Sequence, residues 1–314
     1  MAPTALSPPS PPSSAPTKPS PTTDLTTKSP LAAISCGTTL PSIPTYPSFA
    51  AHRRDILAHM AGAFRVFSTK KYTEGMSGHI SLRDPEFPST FWTNPLGRHF
   101  GLLKASDMIL LNSRGEAIGG NLARPANAAG FLIHAAVHDA RPDVNAACHT
   151  HGVAGKAWSA FGRKLEILNQ DMCYFYGEAQ GLYADFGGVV LTPDEGRRLA
   201  AALGERGKGM VLRNHGLLTV GGTVDEAAYL YTLMERSCEV QLLVEAARAG
   251  GKQTVEVPDE AARFTFKMAS DPEALYWEFQ PDLEWEVEMA REKGGFDDHT
   301  GEIEGFRRDM VEVE

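Results

Sequence analysis

The sequence predicts an α/β fold in which helices flank a central sheet. Short apolar runs bounded by glycine and proline turns alternate with longer segments whose apolar residues recur at helical spacing. Apolar residues make up 42% of the 314 residues, which is enough to fill a sizeable core. Two of the apolar runs end in histidines beside glycine turns, and open α/β sheets bind ligands where their strands end.

The composition divides the chain into three parts. Residues 1–47 hold 12 of the 21 prolines and are rich in serine and threonine, so we expect them to be disordered. Residues 48–251 carry the alternating pattern and form the predicted domain. Residues 252–314 are acidic and less regular. Their residues Trp277 and Trp285 predict that this extension packs on the core or on a neighbouring subunit.

The predicted elements follow the apolar periodicity and the positions of glycine and proline. Helices are expected at 48–67, 125–140, 153–161, 193–205 and 223–249, the last with a capping box formed by Thr223 and Glu226. Strands are expected at 79–83, 91–94, 107–112, 144–149, 165–168, 189–192, 210–213 and 217–220.

Charge and cysteine usage exclude several classes of protein. The net charge of −9, without a lysine and arginine cluster, argues against nucleic acid or an anionic membrane as a partner. No apolar run approaches the 18 residues of a membrane span. Four cysteines lie far apart without a CxxC pair, and the N-terminus lacks a secretory pattern. These features predict a cytoplasmic protein with reduced thiols that acts on a small molecule.

The stretch from 146 to 152 contains the pair His149 and His151. Side chains alternate along a strand, so these two imidazoles leave the same face. His215 follows the apolar run 209–212 and offers a third imidazole. Three neutral imidazoles with an open fourth position suit a catalytic metal, so we predict one divalent ion, Zn²⁺ first and Fe²⁺ or Mn²⁺ as alternatives. The competing interpretation is that the His149 and His151 pair occurs by chance and binds no metal.

Cys148 lies immediately before His149 in the chain and could be interpreted as a nucleophile. Its position in an apolar run favours a small core residue whose side chain points away from His149.

Four segments together resemble the class II aldolase/adducin N-terminal domain family, in its adducin-like fungal branch. They are Gly78-His79-Ile80-Ser81-Leu82-Arg83, Arg141-Pro142-Asp143-Val144, His149-Thr150-His151 and Arg213-Asn214-His215-Gly216-Leu217-Leu218. The resemblance covers about residues 48–251 and implies a three-layer fold with a mainly antiparallel sheet between helices. It also implies a homotetramer with active sites between subunits, and a metal held by His149, His151 and His215.

The chain departs from the sugar-phosphate aldolases of that family at the acid/base and phosphate positions. Their catalytic glutamate lies four residues before a helical histidine, which corresponds to Gly130 before His134 here. Ala126-Asn127 stands in place of paired serines, and Gly78-His79 in place of the Gly-Asn of the phosphate loop. The resemblance therefore implies a substrate without a phosphate group.

These observations predict a metal-dependent lyase that performs aldol cleavage, decarboxylation or related enolate chemistry on a hydroxy or oxo acid or a hydroxy-ketone. The missing glutamate needs a replacement, and the candidate catalytic residues are Glu178, Tyr174 and His79. The candidate substrate-binding residues are Arg213, Asn127 and Gly78. Further candidates are Asp171 and Tyr176 beside Tyr174, His99 in a neighbouring loop, and Tyr276 from an adjacent subunit.

Two other functions fit the same histidines. One is a non-haem iron oxygenase, because three neutral ligands do not exclude Fe²⁺. The other is a non-catalytic, adducin-like assembly protein with a structural metal or none. Oxygen consumption distinguishes the oxygenase from the lyase, and a closed site with four protein ligands would favour the assembly protein.

Overall fold

The computed structural model describes residues 28–186, 188 and 193–311. Within them eight strands form one sheet: β1 His79–Arg83, β2 Phe91–Thr93, β3 Ile109–Leu111, β4 Ala117–Gly120, β5 Ala146–Thr150, β6 Gln180–Tyr183, β7 Gly209–Leu212 and β8 Gly216–Gly221. The strand order is β4-β3-β2-β1-β5-β8-β7-β6. All neighbours are antiparallel except β6 and β7, which confirms the mainly antiparallel sheet.

Helices cover both faces of this sheet. Their bounds are α1 Pro30–Ile34, α2 Phe49–Thr69, α3 Ala128–Ala140, α4 Val153–Ser159, α5 Pro193–Leu203, α6 Val224–Ala249, α7 Asp259–Ala269 and α8 Pro272–Ala290. Two separate hydrophobic clusters fill the spaces between the layers. One joins the sheet to α3 and α5, and the other joins it to α2, α4, α6 and α8. The predicted α/β fold with a three-layer arrangement is therefore confirmed.

Alternation along β5 assigns its side chains to the two layers. Ala147 packs in the cluster with α3 and α5, whereas Ala146 and Cys148 pack in the cluster with α2 and α6. Cys148 is fully buried there and points away from His149, as predicted, and burial raises the pKa of its thiol. His149 therefore faces the layer of α3.

Local sequence signals explain the two long helices. The Ser48 side chain accepts a hydrogen bond from the Ala51 N–H and caps the start of α2. Thr223 caps α6 by accepting from the Glu226 N–H at 3.1 Å. The Glu226 carboxylate accepts from the Gly222 N–H at 2.9 Å, so the reciprocal bond of the predicted capping box forms one residue earlier.

The structure differs from the sequence prediction at several strands. Residues 165–168 form no strand, because the Gln180 side-chain amide takes the place of a partner strand. Its Oε1 accepts from the Leu165 N–H at 2.6 Å and its Nε2 donates to the Leu165 carbonyl at 3.2 Å. The short strands β4 and β6 were not predicted, and the predicted strand 189–192 lies outside the described residues.

The segment predicted to be disordered is partly ordered. Residues 1–27 lie outside the described residues, but α1 begins at Pro30 with Ser29 as its cap. Leu31 is buried, and the Trp277 indole N–H donates to the Pro41 carbonyl at 2.6 Å. These contacts stabilise the segment against the C-terminal extension, a long-range packing that composition does not reveal.

The C-terminal extension is more regular than predicted. It forms α7 and α8, and Asp271 caps α8 by accepting from two backbone N–H groups in the first turn. Leu275 and Phe279 of α8 are fully buried against the helical layer that contains α2 and α6. Trp285, in contrast, is 58% exposed. The extension thus completes the core of its own chain.

Within the described part of the chain, no helix is long and apolar enough to cross a membrane. The four cysteines are unpaired, and three of them are buried.

Candidate metal centre

Three histidines meet where β5 and β8 lie side by side. His149 is on β5, and His151 follows the end of that strand. His215 lies in the turn between β7 and β8, where Asn214 adopts a left-handed backbone with φ of +59°. Asparagine tolerates this conformation better than most residues, so the turn delivers His215 towards the neighbouring strand. One ring nitrogen from each histidine lies within 4.8 Å of the others.

A backbone carbonyl sets the orientation of His149. Its Nδ1 lies 2.7 Å from the carbonyl oxygen of Leu217 on β8. Because that oxygen can only accept, Nδ1 carries the proton and Nε2 keeps its lone pair. Metal-binding histidines are typically oriented in this way.

The environment keeps the three imidazoles neutral. Burial lowers the pKa of His149 well below its ordinary value, and the neighbouring His215 lowers it further. Burial also lowers the pKa of His151, and burial together with His151 lowers the pKa of His215 to about 4. Neutral imidazole is the form that binds a metal, so the donor set fits one divalent ion.

A cavity of about 520 Å³ opens beside the three histidines. Uncharged residues form most of its wall, including Ala129, Ile133 and Phe186, and Lys156 is the one cation among the described lining residues. No carboxylate belongs to that described wall. Lys156 is paired with Glu74 at 2.7 Å near the solvent. The cavity therefore suits an organic substrate with an apolar portion rather than a multiply charged one.

His79 is a buried part of this wall and packs against His149, with ring centroids 5.1 Å apart. A Cβ added to Gly130 would lie 2.3 Å from Cδ2 and 2.5 Å from Nε2 of His79. The His79 ring therefore occupies the space that a glutamate at position 130 would need. The two departures noted in the sequence are therefore linked, because the missing side chain at Gly130 leaves room for the His79 ring.

Two of the predicted substrate-binding residues line the same cavity. Gly78 has φ of +94°, and an added Cβ would lie 2.9 Å from the Phe100 ring and 3.2 Å from the His149 carbonyl oxygen. Asn127 caps α3, and its Oδ1 accepts from the Gly130 N–H at 3.1 Å. Both positions fix the backbone that surrounds His79.

The other predicted catalytic residues lie elsewhere in the chain, which corrects the expectation that they line this cavity. Glu178 is exposed and lies 3.5 Å from Arg206 in an ion pair. Tyr174 is buried in the opposite helical layer, where its hydroxyl donates to Glu278 at 3.2 Å. The segment turns away after residue 170 because its apolar residues Met172 and Phe175 are themselves fully buried.

The weaker candidates also lie apart from the histidine cluster. The Tyr176 hydroxyl donates to Asp259, and Tyr276 stacks on His59. His99 is exposed and accepts the Gly101 N–H. Asp171 begins a short 3-10 helix.

Arg213 was expected to share a face with His215 on one strand. Instead β7 ends at Leu212, and Arg213 is exposed in the turn. Its side chain lies beside Gly162 and lines a small cleft that also reaches Phe186 and His215. Arg213 therefore lies next to the metal cavity rather than in its wall.

Sequence reasoning missed the buried partners behind His79. His134 packs edge-on against His79 with centroids 4.3 Å apart, and Ser81 bonds both His134 and His138. The available signal was the spacing of four residues between two histidines on one face of α3.

Comparisons with known proteins identify the family of this chain. Residues 58–242 match the Class II Aldolase and Adducin N-terminal domain model. The chain is 44% identical to the Meiotically up-regulated gene 14 protein of Schizosaccharomyces pombe, over 78% of this chain and 94% of that protein. It is also 44% identical to Decarboxylase NovR of Streptomyces niveus, over 71% of this chain and 80% of that protein.

A third relative is the 4-hydroxy-3-prenylphenylpyruvate oxygenase/4-hydroxy-3-prenylbenzoate synthase of Streptomyces roseochromogenus subsp. oscitans. It is 43% identical over 71% of this chain and 78% of that protein. Among solved structures, L-fuculose 1-phosphate aldolase from Glaciozyma antarctica superposes with a TM-score of 0.72 at 38% identity. That match covers 80% of this chain and 95% of the other. The family match spans more than half of the chain, so the protein belongs to the class II aldolase/adducin N-terminal domain family.

Proposed function

We propose that this protein is a metal-dependent lyase that breaks a carbon–carbon bond in a non-phosphorylated hydroxy or oxo acid or hydroxy-ketone. The observation that carries the proposal is the set of three neutral imidazoles, His149, His151 and His215, facing a cavity with a mostly uncharged wall. Two relatives support this class of chemistry, since one is named a decarboxylase and one solved structure an aldolase.

In this proposal the chain supplies the ligands of the metal and the wall of the cavity. His149, His151 and His215 would hold the metal, with His149 aligned by the Leu217 carbonyl. When bound, a divalent ion supplies a Lewis acid that polarises a substrate carbonyl. Ala129, Ile133 and Phe186 supply an apolar part of the wall against which an apolar portion of the substrate would pack.

Because Gly130 stands in place of the family's glutamate, an aldol cleavage needs another group to move the proton. In an aldol cleavage, the substrate hydroxyl loses its proton, the carbon–carbon bond breaks, and a proton returns to the enolate carbon. We propose that His79, which lines the cavity, accepts that proton and returns it. In the decarboxylation of a 3-oxo acid, no proton has to be removed before carbon dioxide leaves. Both reactions are therefore compatible with this cavity.

The wall of the cavity supports the proposal that the substrate has no phosphate group. Phosphate binding needs several N–H donors or cations, and Lys156 already pairs with Glu74. Ala126 and His79 stand where the family's phosphate-binding side chains would be.

A second candidate function is an iron-dependent oxygenase. One relative at 43% identity is named an oxygenase, and imidazole ligands suit Fe²⁺ as well as Zn²⁺. Under this alternative the same three histidines would hold the metal, and oxygen would be consumed with the substrate.

The test uses the full-length chain loaded separately with Zn²⁺, Mn²⁺ or, without oxygen, Fe²⁺. Each preparation is offered 3-oxo acids, hydroxy acids and hydroxy-ketones with apolar substituents, with a sugar phosphate for comparison. Product formation with Zn²⁺ or Mn²⁺ and no oxygen uptake is the expected result, and the H149A/H151A variant should be inactive. Oxygen uptake with Fe²⁺ alone would establish the oxygenase. Failure to bind any metal would leave the adducin-like assembly role.

We also propose that the protein is a homotetramer. Phe186 lies at the cavity and is 53% exposed, and Val153, two residues after His151, is 74% exposed. Large apolar side chains at the rim of a site favour contact with another subunit. Light scattering of the purified chain tests this proposal, and a monomer at micromolar concentration would contradict it.

A further inference from the structure

A line of buried polar side chains runs behind the metal cavity, between β1 and α3. His134 Nδ1 lies 2.8 Å from Ser81 Oγ, and the same oxygen lies 2.7 Å from His138 Nε2. His138 Nδ1 in turn lies 3.1 Å from the carbonyl oxygen of Val144. The three side chains are all buried, so water does not compete for these bonds.

The carbonyl at one end determines which atom is the donor and which is the acceptor in every hydrogen bond of the line. The Val144 oxygen can only accept, so His138 carries its proton on Nδ1 and its Nε2 is bare. The Ser81 hydroxyl must then donate to that bare nitrogen. Its oxygen is left to accept, so His134 donates from Nδ1. Each bond follows from the one before it.

This order of donors and acceptors exists only when both imidazoles are neutral, because a charged imidazole carries a proton on each nitrogen. Burial lowers the pKa of His134 well below its ordinary value. Burial, followed by the nearby Arg83 guanidinium, lowers the pKa of His138 to about 3. Each ring therefore holds one proton near neutral pH.

The open end of the line meets His79. The bare Nε2 of His134 and Nδ1 of His79 are both buried, and neither has a hydrogen-bond partner among residues 28–186, 188 and 193–311. The two rings are in edge contact, with centroids 4.3 Å apart and planes at 67°. The two atoms do not bond each other in this structure, but they lie on rings in contact, and a nitrogen with a free lone pair favours a proton on a nitrogen of the neighbouring ring.

We propose that Val144, His138 and Ser81 fix His134 in the tautomer protonated on Nδ1, so that its bare Nε2 attracts a proton to Nδ1 of His79. His79 Nε2 then faces the substrate as an acceptor. Ser81, His134 and His138 are positioning residues, since none of them lines the described wall of the metal cavity. The role of His79 in catalysis rests on the proposed lyase function, whereas the arrangement of protons does not.

The line of hydrogen bonds fixes the tautomers of the histidines and does not conduct protons. It ends on a backbone carbonyl, which has no proton to release. Gly130 belongs to the same arrangement, because any side chain there would displace the His79 ring from its contact with His134.

Neutron diffraction of the deuterated full-length protein, with and without Zn²⁺, tests the arrangement directly and needs no variant. We expect deuterium on Nδ1 of His138, His134 and His79, and bare Nε2 atoms on His138 and His134. Deuterium on Nε2 of His134, or a Ser81 hydroxyl that points to His134, would overturn the proposal. This result stands whether or not the protein is a lyase.

Two variants of one side chain test the consequence for catalysis. S81A removes the hydroxyl, and S81T keeps it. If the lyase activity is present, we expect S81A to lower kcat by about 10- to 100-fold, as loss of an orienting partner typically does, with KM changed less than about twofold. S81T should recover most of that loss. Equal kcat values in S81A and wild type would remove the positioning role, and an inactive wild type would instead count against the proposed function.

Discussion

The histidines at the two ends of the central strands have different partners. At the end where β5 meets the turn before β8, His149, His151 and His215 face one another and no carboxylate lies in the described wall. At the other end, His59 of α2 lies 2.7 Å from Asp225 and 3.6 Å from Asp55.

Partners, and not burial alone, set the charge of each group. Burial would lower the pKa of His59, but Asp225 and then Asp55 outweigh it and raise that pKa to about 9. Among the described residues no carboxylate raises the pKa of His215, which burial and then His151 lower to about 4. At one end, therefore, a charged imidazole on α2 forms an ion pair with Asp225 of α6. At the other end, neutral imidazoles are available to bind a metal.

The largest expected effect is the loss of the metal centre. The H149A/H151A variant removes two of the three donors, so bound metal should fall from about one equivalent to none. Lyase activity should fall by about 10³-fold or more, which corresponds to about 4 kcal/mol of transition-state stabilisation. Elemental analysis and turnover measure both. H99A is the matched control, since His99 is exposed and outside the cavity, and an equal loss there would indicate damage to the fold.

The ion pair between His59 and Asp225 predicts that the stability of the fold depends on pH. The folded-state pKa of His59, about 9, exceeds its ordinary value of 6.5, so its stabilisation is complete below pH 6.5 and disappears as pH rises through 9. D225N should reduce stability by a few kcal/mol at pH 6 and flatten this dependence. Denaturant unfolding between pH 6 and 10 measures it. D55N should have the smaller effect, and equal effects would contradict the geometry.

Gly130 tests whether the cavity has room for the missing side chain. G130A places a Cβ 2.3 Å from His79, so we expect a loss of about 1–3 kcal/mol in unfolding free energy from overpacking. H79A creates space, and the G130A/H79A double variant should recover part of that loss. A double-mutant cycle gives the coupling, expected at about 0.5–3 kcal/mol. Strict additivity would mean that the two positions do not share space.

The smallest expected effect is at Glu178, which the sequence suggested as an acid/base. Its carboxylate is exposed and paired with Arg206, so E178Q should change stability by less than about 1 kcal/mol. Turnover should remain within about twofold of wild type. A large loss of kcat with normal metal content would instead show that Glu178 of another subunit completes the site.

The three candidate metal ligands could be chosen from the sequence because their signal is local. His149 and His151 share a face on any strand, and the Asn-His-Gly turn brings His215 beside them. Gly130 was also recognisable from its spacing to His134. The three-layer order came from the resemblance carried by these same segments.

The remaining features depend on contacts between distant parts of the chain. Tyr174 is held by Glu278, which follows it by 104 residues, so no local pattern could exclude it from the cavity. The overlap between His79 and Gly130 requires the packing of α3 on β1. The ordered residues 28–47 depend on Trp277, which lies 236 residues after Pro41.

An X-ray absorption spectrum at the zinc edge tests the central claim most directly. The full-length chain loaded with about one equivalent of Zn²⁺ should show three imidazole nitrogens and one further light atom at about 2.0–2.1 Å. The H149A/H151A variant should lose that signal. Four protein ligands, a sulfur neighbour or an unchanged spectrum in the variant would contradict an open centre built from His149, His151 and His215.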